Sequence, residues 1–269
     1  MPLAFSTLGC PHAPVSDVVD LAVRHGVDGV ELRASDDGPV HVGLPQRGRD
    51  AVRRALEDRG LTALALDSYV RVRAPGDDRR LAADLDAHLD LAAQLGCTYL
   101  RIFPGGDPAD LDGDARAAHR IAEAAAPARV RGIRLALETH DSRPRGHDVA
   151  RILHEAGRLA ASDESSLAAV WDVLHPWRAG EAPSATASAL GRRLAYVQVK
   201  DSRPGPSGPL TTVGDGAVPL DDVVRAVDAL GRGRHDVWWS LEWERAWHPE
   251  LPDLEVALTG FRTWWDRLG

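Results

Sequence analysis

The stretch GIRLALETH, residues 132–140, decides the fold. A glycine closes a helix-like run, an almost continuous apolar segment starts at once, and that segment ends on a carboxylate. Glycine suits the left-handed position that terminates a helix, and an unbroken apolar run is what a parallel strand buried on both faces requires. The same grammar occurs at Gly26, Gly60 and Gly96, so that the four glycines lie 34, 36 and 36 residues apart. The runs that follow the first three are GVEL (29–32), TALALD (62–67) and TYLRIF (98–103), and LAFS (3–6) precedes them. Further on, AAVWDV (168–173), LAYVQVK (194–200) and VWWSLEW (237–243) bring the expected strands to eight.

Helical patterns separate these runs. They are DVVDLAVRH (17–25) with Ser16 as its cap, DAVRRALEDR (50–59), RRLAADLDAHLDLAAQL (79–95), a segment at 115–131 interrupted by Pro127, DVARILHEA (148–156), LDDVVRAVDAL (220–230) and a closing LEVALTGFRTWWDRL (254–268). Strict alternation without a linker predicts an α/β chain folded as a single (β/α)8 TIM barrel, one domain over residues 1–269. An open doubly wound sheet is the competing topology, but no G-x-G-x-x-G turn follows the first strand. The long Gly/Pro-rich loops at 70–78 and 202–218 fall on the C-terminal side of their strands, where a barrel carries its active site.

Composition narrows the partners. The chain has 269 residues, 44% hydrophobic and 27% charged, which excludes disordered, collagenous and coiled-coil classes. Forty acidic against 32 basic residues leave a net charge of −8, no footprint for a nucleic-acid backbone. Cys10 and Cys97 are too few for a disulfide framework, which fits a reducing compartment. With no basic n-region in the opening MPLAFSTLGC and no run of about 18 apolar residues, the expectation is a cytoplasmic chain that does not meet a membrane. Of the 32 basic residues only Lys200 is lysine. Codon bias explains the excess of arginine, yet arginine cannot imitate a compact, titratable ammonium.

Side chains at the C-terminal strand ends point into the barrel mouth, so the strand ends spell out the candidate site. Strand five ends at Glu138, strand six at Asp172, strand seven passes through Gln198 to Lys200 and Asp201, and strand eight ends at Glu242. Three carboxylates and an amide on consecutive strands offer oxygen donors to one hard divalent cation; taken singly, each is an ordinary solvated strand end. Cations ring the same mouth: Arg33, Arg101, His140, His175, Lys200 and Arg203. They suit a small substrate that is anionic or polyhydroxylated, or else compensate the acidic cluster. Trp177, Phe103 and Trp243 can wall a sugar face or pack the core, and Trp238 and Trp239 read as core. Trp264 and Trp265 read as interhelical packing or as a homo-oligomer interface. The GDG at 214–216 can present backbone N–H groups to a phosphate, a weak signal by itself.

LALETH, VWDVLHPWRAGE, YVQVKD, GDG and SLEWE, in this order, together with the opening STLGCP and HGVDGVELR, resemble the xylose isomerase-like TIM-barrel superfamily of sugar phosphate isomerases and epimerases. The resemblance covers essentially the whole chain. It implies a divalent metal held by Glu138, Asp172, Gln198 and Glu242, with the two glutamates catalytic and His175 on a substrate hydroxyl. Where most isomerases and epimerases of the superfamily carry histidine, this chain has Gln198, whose neutral carbonyl oxygen moves the preference from Zn²⁺ toward Mn²⁺ or Mg²⁺. Some members with glutamine there are lyases of the 3-dehydroshikimate dehydratase type.

The implied activity is isomerisation or epimerisation through proton abstraction and a metal-stabilised enediolate, with dehydration from the same enolate as the alternative. A nuclease of a neighbouring branch would need a His-rich three-metal site and a basic groove. A non-catalytic sugar-binding barrel would leave the carboxylate set without a purpose.

Overall fold

A computed structural model describes residues 2–160, 166–205, 207–233 and 235–268 of the chain. Strands β1 (Leu3–Ser6), β2 (Gly29–Arg33), β3 (Thr62–Arg71), β4 (Tyr99–Phe103), β5 (Arg134–Glu138), β6 (Leu167–Asp172), β7 (Leu194–Val199) and β8 (Trp238–Leu241) follow one another around a closed barrel. All eight pairings are parallel, and β8 returns to β1 with Leu3 opposite Trp239. This is the (β/α)8 barrel expected from the repeat. The repeating glycines at 26, 60, 96 and 132 have φ between +60° and +77°, the left-handed conformation that turns each helix toward its next strand.

The outer layer comprises α1 (Val15–His25), α2 (Gln46–Glu57), α3 (Asp78–Leu95), α4 (Gly113–Val130), α5 (Gly146–Ala160), the short α6 (Leu174–Arg178), α7 (Pro183–Leu190), α8 (Leu220–Asp228) and α9 (Leu254–Asp266). Several boundaries differ from the pattern reading. Ser16 does not cap α1: the helix starts at Val15, the carbonyl of Pro14 takes the first helical bonds from Asp17 and Val18, and the Ser16 hydroxyl turns to Asp17. Pro127 does not interrupt α4, because it sits in the last turn and the helix ends three residues later. The α7 segment PSATASAL carries too little apolar contrast to announce itself. Within 202–218, Asp201–Ser202 pairs antiparallel with Leu210–Thr211.

Two apolar layers result. Ala4, Ala65, Tyr99, Ala136, Ala168, Val170 and Tyr196 belong to a small cluster, and a far larger one includes Leu3, Val30, Leu66, Leu100, Trp171 and Trp239 together with the inward faces of the helices. Trp264 and Trp265 belong to the second, with ring centroids 6.2 and 5.6 Å from that of Trp239, so they pack inside their own chain.

Buried arginines tether the loops at the barrel mouth. The Arg73 guanidinium bonds Asp114 at 2.5 Å, Ser142 Oγ at 2.6 Å and the carbonyls of Gly105, Asp107 and Asp110. Arg120 binds Asp78 and the carbonyls of Val72, Ala74 and Gly76. The 70–78 segment is therefore held: β3 extends to Arg71, and Asp77 caps α3 by accepting from Arg79 and Arg80.

Candidate metal and substrate site

Each strand of the barrel contributes one fully buried polar side chain to the same region: Ser6, Glu31, Asp67, Arg101, Glu138, Asp172, Gln198 and Ser240, none more than 2% exposed. Strand register places Asp172 beside Gln198, and Gln198 beside Ser240. Because inward-facing positions repeat every two residues, the strands also deliver a second level nearer the opening, where Arg33, Tyr69, Phe103, His140, Lys200 and Glu242 lie.

Glu138, Asp172 and Glu242 each bring one carboxylate oxygen within 4.8 Å of the others. Gln198 joins them by donating from Nε2 to Glu242 Oε1 at 3.4 Å. Neither Glu138 oxygen accepts a hydrogen bond, and Gln198 Oε1 has no partner either. Oε2 of Glu138 has only an ion-pair contact with Arg101 Nε at 3.3 Å. Converging oxygens left unsatisfied while buried are what a hard divalent cation would engage, so the donor set fits such an ion. A second grouping, Glu138 with His140 and His175, has the same spacing.

The ammonium of Lys200 is 2.7 Å from Asp172 Oδ2 and 2.5 Å from Glu244 Oε1, and it also contacts Glu242 Oε2. Burial opposes its charge, but Asp172, Glu242 and Glu244 overcome that and hold the ammonium charged. The same contact works in reverse on Asp172: against burial, Lys200 and then His175 hold its carboxyl well below the usual range. Glu138 goes the other way. Burial pushes it up and Arg101 pulls it down, while Glu242 and Asp172 add to the rise, and the net position lies well above an ordinary carboxylate.

Two further acids, Glu31 and Asp67, share this buried region and are not among the strand-end carboxylates that the sequence singles out. Glu31 accepts hydrogen bonds from Tyr196 at 2.7 Å, from Gln198 Nε2 at 2.9 Å and from Ser240. Asp67 accepts from Ser6 at 3.0 Å. Burial, and then Asp67, push Glu31 well above the usual range. Burial lifts Asp67 to about 6 despite Arg101. Asp67 ends the TALALD run and was open to the same argument as Glu138; Glu31 sits two residues before Arg33 and so shares its face.

The rings of Phe103, His140 and Tyr69 lie together beside the cluster. The ring of His140 lies 4.5 Å from Phe103 and 4.1 Å from His175, and His175 Nε2 is 3.3 Å from Asp172 Oδ2. Burial pushes the His140 imidazole down to about 4, so it is neutral at neutral pH. Tyr69 stands between two guanidinium groups, accepting from Arg33 at 2.8 Å and lying 6.0 Å from Arg101, with the half-exposed Trp247 at its edge. Arg33 is already bound bidentately to Asp37, whereas Arg101 stacks on Phe103 at 3.9 Å and its Nη1 has no hydrogen-bond partner. Tyr69 and Trp247 carried no signal in the sequence, since each lies beyond the run that marked its strand, and Glu244 stands in the SLEWE motif without a role of its own.

Other expected residues lie apart from the cluster. Arg203 is exposed and donates to the Asp215 carbonyl at 2.9 Å. Trp177 packs beside Trp171, Pro176, Pro183 and Val223, and Trp243 donates to the Pro252 carbonyl at 2.8 Å. The GDG loop is not a phosphate cradle. The N–H groups of Gly214 and Gly216 both donate to Asp201 Oδ2 at 2.9 Å, and Val218 N–H donates to Oδ1 at 3.2 Å, so the loop is wrapped around an internal carboxylate. A side chain at Gly216 would collide with Asp201.

A family model described as a xylose isomerase-like TIM barrel matches residues 19–266. A Streptomyces coelicolor protein provisionally named hydroxypyruvate isomerase is 28% identical over 239 residues, 79% of this chain and 80% of that protein. Among solved structures, the IolI protein with a bound zinc atom superposes with a TM-score of 0.79 at 18% identity, over 99% of this chain and 97% of the other. A Bacillus anthracis protein described as the probable 3-DHS dehydratase AsbF, involved in petrobactin synthesis, gives 0.77 at 18% identity, over 96% and 98%. At these identities the two structures speak to the fold. Among the described residues no helix is long and apolar enough to cross a membrane.

Proposed function

From a chain that belongs to the xylose isomerase-like TIM-barrel family, we propose an isomerase or epimerase that moves a proton next to the carbonyl of a small hydroxylated substrate, dependent on a divalent cation of the Mn²⁺ or Mg²⁺ class. The observation that carries this reading is the convergence of Glu138, Asp172 and Glu242 beside the free carbonyl oxygen of Gln198. Those four residues would hold the ion, which would supply positive charge against the substrate oxygens on which negative charge develops. Oxygen-only donors are the reason for preferring Mn²⁺ or Mg²⁺ to Zn²⁺.

The chain's own groups supply the rest. Glu138, with no hydrogen bond to either oxygen, takes the proton from the carbon beside the carbonyl. Glu242, held by Lys200 and Gln198 across the cluster, delivers a proton of its own to the resulting anion, and both carboxyls then exchange protons with solvent. Delivery to the opposite face inverts that carbon, and delivery to the neighbouring carbon exchanges ketone and aldehyde. His175 and the neutral His140 orient substrate hydroxyls, and Phe103 and Tyr69 exclude water from one side. The free Nη1 of Arg101 suits a carboxylate or phosphate on the substrate, so a three-carbon hydroxy-keto acid of the hydroxypyruvate kind fits as well as a sugar.

One observation favours a second reading, expulsion of a β-hydroxyl from the same anion. It is Gln198 itself, at the position where the resemblance leads one to expect imidazole. Incubating Mn²⁺-loaded protein in D₂O with hydroxypyruvate, a panel of ketoses and their phosphates, and 3-dehydroshikimate separates the two. Solvent deuterium at a substrate carbon, seen by NMR, is the expected result. Growth of an ultraviolet-absorbing conjugated product without such exchange would replace isomerisation by dehydration.

A further inference from the structure

Gln198 poses a problem that a carboxylate at the same place would not. Its amide has two ends, one able to bind a cation and one that repels it, and they are close to isosteric. Rotation by half a turn would present N–H groups to the carboxylate cluster in place of an oxygen. The barrel contains a device that breaks this symmetry. Gln198 Nε2 faces two carboxyl groups, Glu31 Oε2 at 2.9 Å and Glu242 Oε1 at 3.4 Å, and Oε1 is left without a partner. Glu242 is the weaker of the two partners, since its contact at 3.4 Å is at the limit of a hydrogen bond. Glu31 is completely buried, and Tyr196 and Ser240 hydrogen-bond its two oxygens separately, so the carboxyl is locked in rotation with an acceptor aimed at Gln198. Both donors lie on strands adjacent in the barrel, Tyr196 on β7 and Ser240 on β8, with Ser240 in register with Gln198. Glu31 itself comes from β2 and reaches across the barrel interior to make these contacts.

We propose that Glu31 is a positioning residue for the candidate cation site: it fixes the Gln198 amide with its nitrogen on Glu31 and its carbonyl oxygen free to serve as a ligand. The inference rests on the reading of Gln198 as a cation ligand. Outer partners of this kind typically change metal affinity by about ten- to a hundredfold.

Orientation and simple charge make opposite predictions in a double-mutant cycle, because a carboxylate in place of the Gln198 amide has two equivalent oxygens and needs no orienting. Mn²⁺ affinity is read from the electron paramagnetic resonance signal of free ion for the wild type, Glu31→Gln, Gln198→Glu and the double variant, with thermal unfolding as a check on folding. With Gln198 in place, Glu31→Gln should weaken Mn²⁺ binding by about tenfold or more, because the amide it introduces can hydrogen-bond either end of the facing Gln198 amide. In the Gln198→Glu background, the same substitution should not weaken it. An equal loss in both backgrounds would show that Glu31 acts through charge alone and would overturn the proposal. No loss in either would overturn it too, and would leave the ligand reading intact. A wild type that binds no Mn²⁺ would remove the ligand reading itself and the proposal with it. Should Glu31→Gln fail to fold, Ser240→Ala, which unties one Glu31 oxygen without changing charge, is carried through the same cycle with the same criteria.

Discussion

Glu138 and Asp172 are both fully buried, lie in one cluster and have opposite proton affinities. Burial raises both, so the difference comes from their partners. Asp172 has an ammonium at 2.7 Å and an imidazole at 3.3 Å. Glu138 has no cation closer than Arg101 at 3.3 Å, with the neutral His140 ring at 4.0 Å, and it faces two other acids. Separated proton affinities of this kind are how one site assigns an anchoring role to one carboxylate and a proton-carrying role to another. Glu138→Gln and Glu242→Gln should each lower kcat by on the order of a hundredfold or more with little change in KM, because amides keep the shape and lose the proton. Steady-state kinetics on the substrate found in the deuterium panel checks this, and near-normal turnover in both variants would sink the proton-transfer mechanism.

Among the elements, the loops after β3, β4 and β5 are held by one ionic node. Arg73 is fully buried, and Asp114 at the start of α4 receives it together with Arg143 at 2.8 Å and Arg151 at 2.7 Å. Partial burial raises the Asp114 carboxyl, but the hydrogen bonds from Arg151, Arg143 and Arg73 prevail and place it below the usual range. A carboxyl depressed in the folded state stabilises the fold above its unfolded pKa and loses that contribution as pH falls through the folded value. Asp114→Asn should therefore lower Tm at pH 7, with a cost of about 3 kcal/mol for leaving a buried guanidinium without its anion. The gap to wild type should close as pH falls through the depressed folded value, where the native carboxyl is protonated as well. Thermal melts from pH 8 down to about pH 2, below the ordinary carboxylate range, test this, and a pH-independent gap would count against the ionic account.

For the whole molecule, the unusual feature is a barrel interior that is apolar in one layer and charged in the next. Glu31, Asp67, Glu138, Asp172 and Glu242 are all 3% exposed or less, and only Arg101 and Lys200 among the buried cations of the described residues contact them. Mutual repulsion in such a layer is relieved by any cation the cluster takes up, so occupancy should register as global stability. Mn²⁺ at about a hundred times its Kd should raise Tm of chelator-stripped protein by about 5–10 °C. Asp172→Ala should stay folded by circular dichroism and lose that increment. An unchanged Tm on adding Mn²⁺ would argue against a cation at this site.

The number and order of strands, their parallel pairing and the closure of the barrel were legible in the sequence. They follow from short-range chemistry: a left-handed glycine after each helix and a strand apolar on both faces. Glu138, Asp172, Gln198 and Glu242 were legible for the same reason, since each stands at or near the end of a recognisable strand and a parallel barrel gathers those ends. What the tertiary structure alone decided is which groups are already engaged. Asp201 consumes the N–H groups of the GDG loop, Asp37 occupies Arg33, and Arg203 turns to the Asp215 carbonyl. Glu31 and Asp67 enter from β2 and β3 to meet residues from strands on the other side. Glu31 and Tyr196 are 165 positions apart in the chain, and hydrogen bonds between such residues depend on barrel stagger and side-chain direction, which local pattern does not encode.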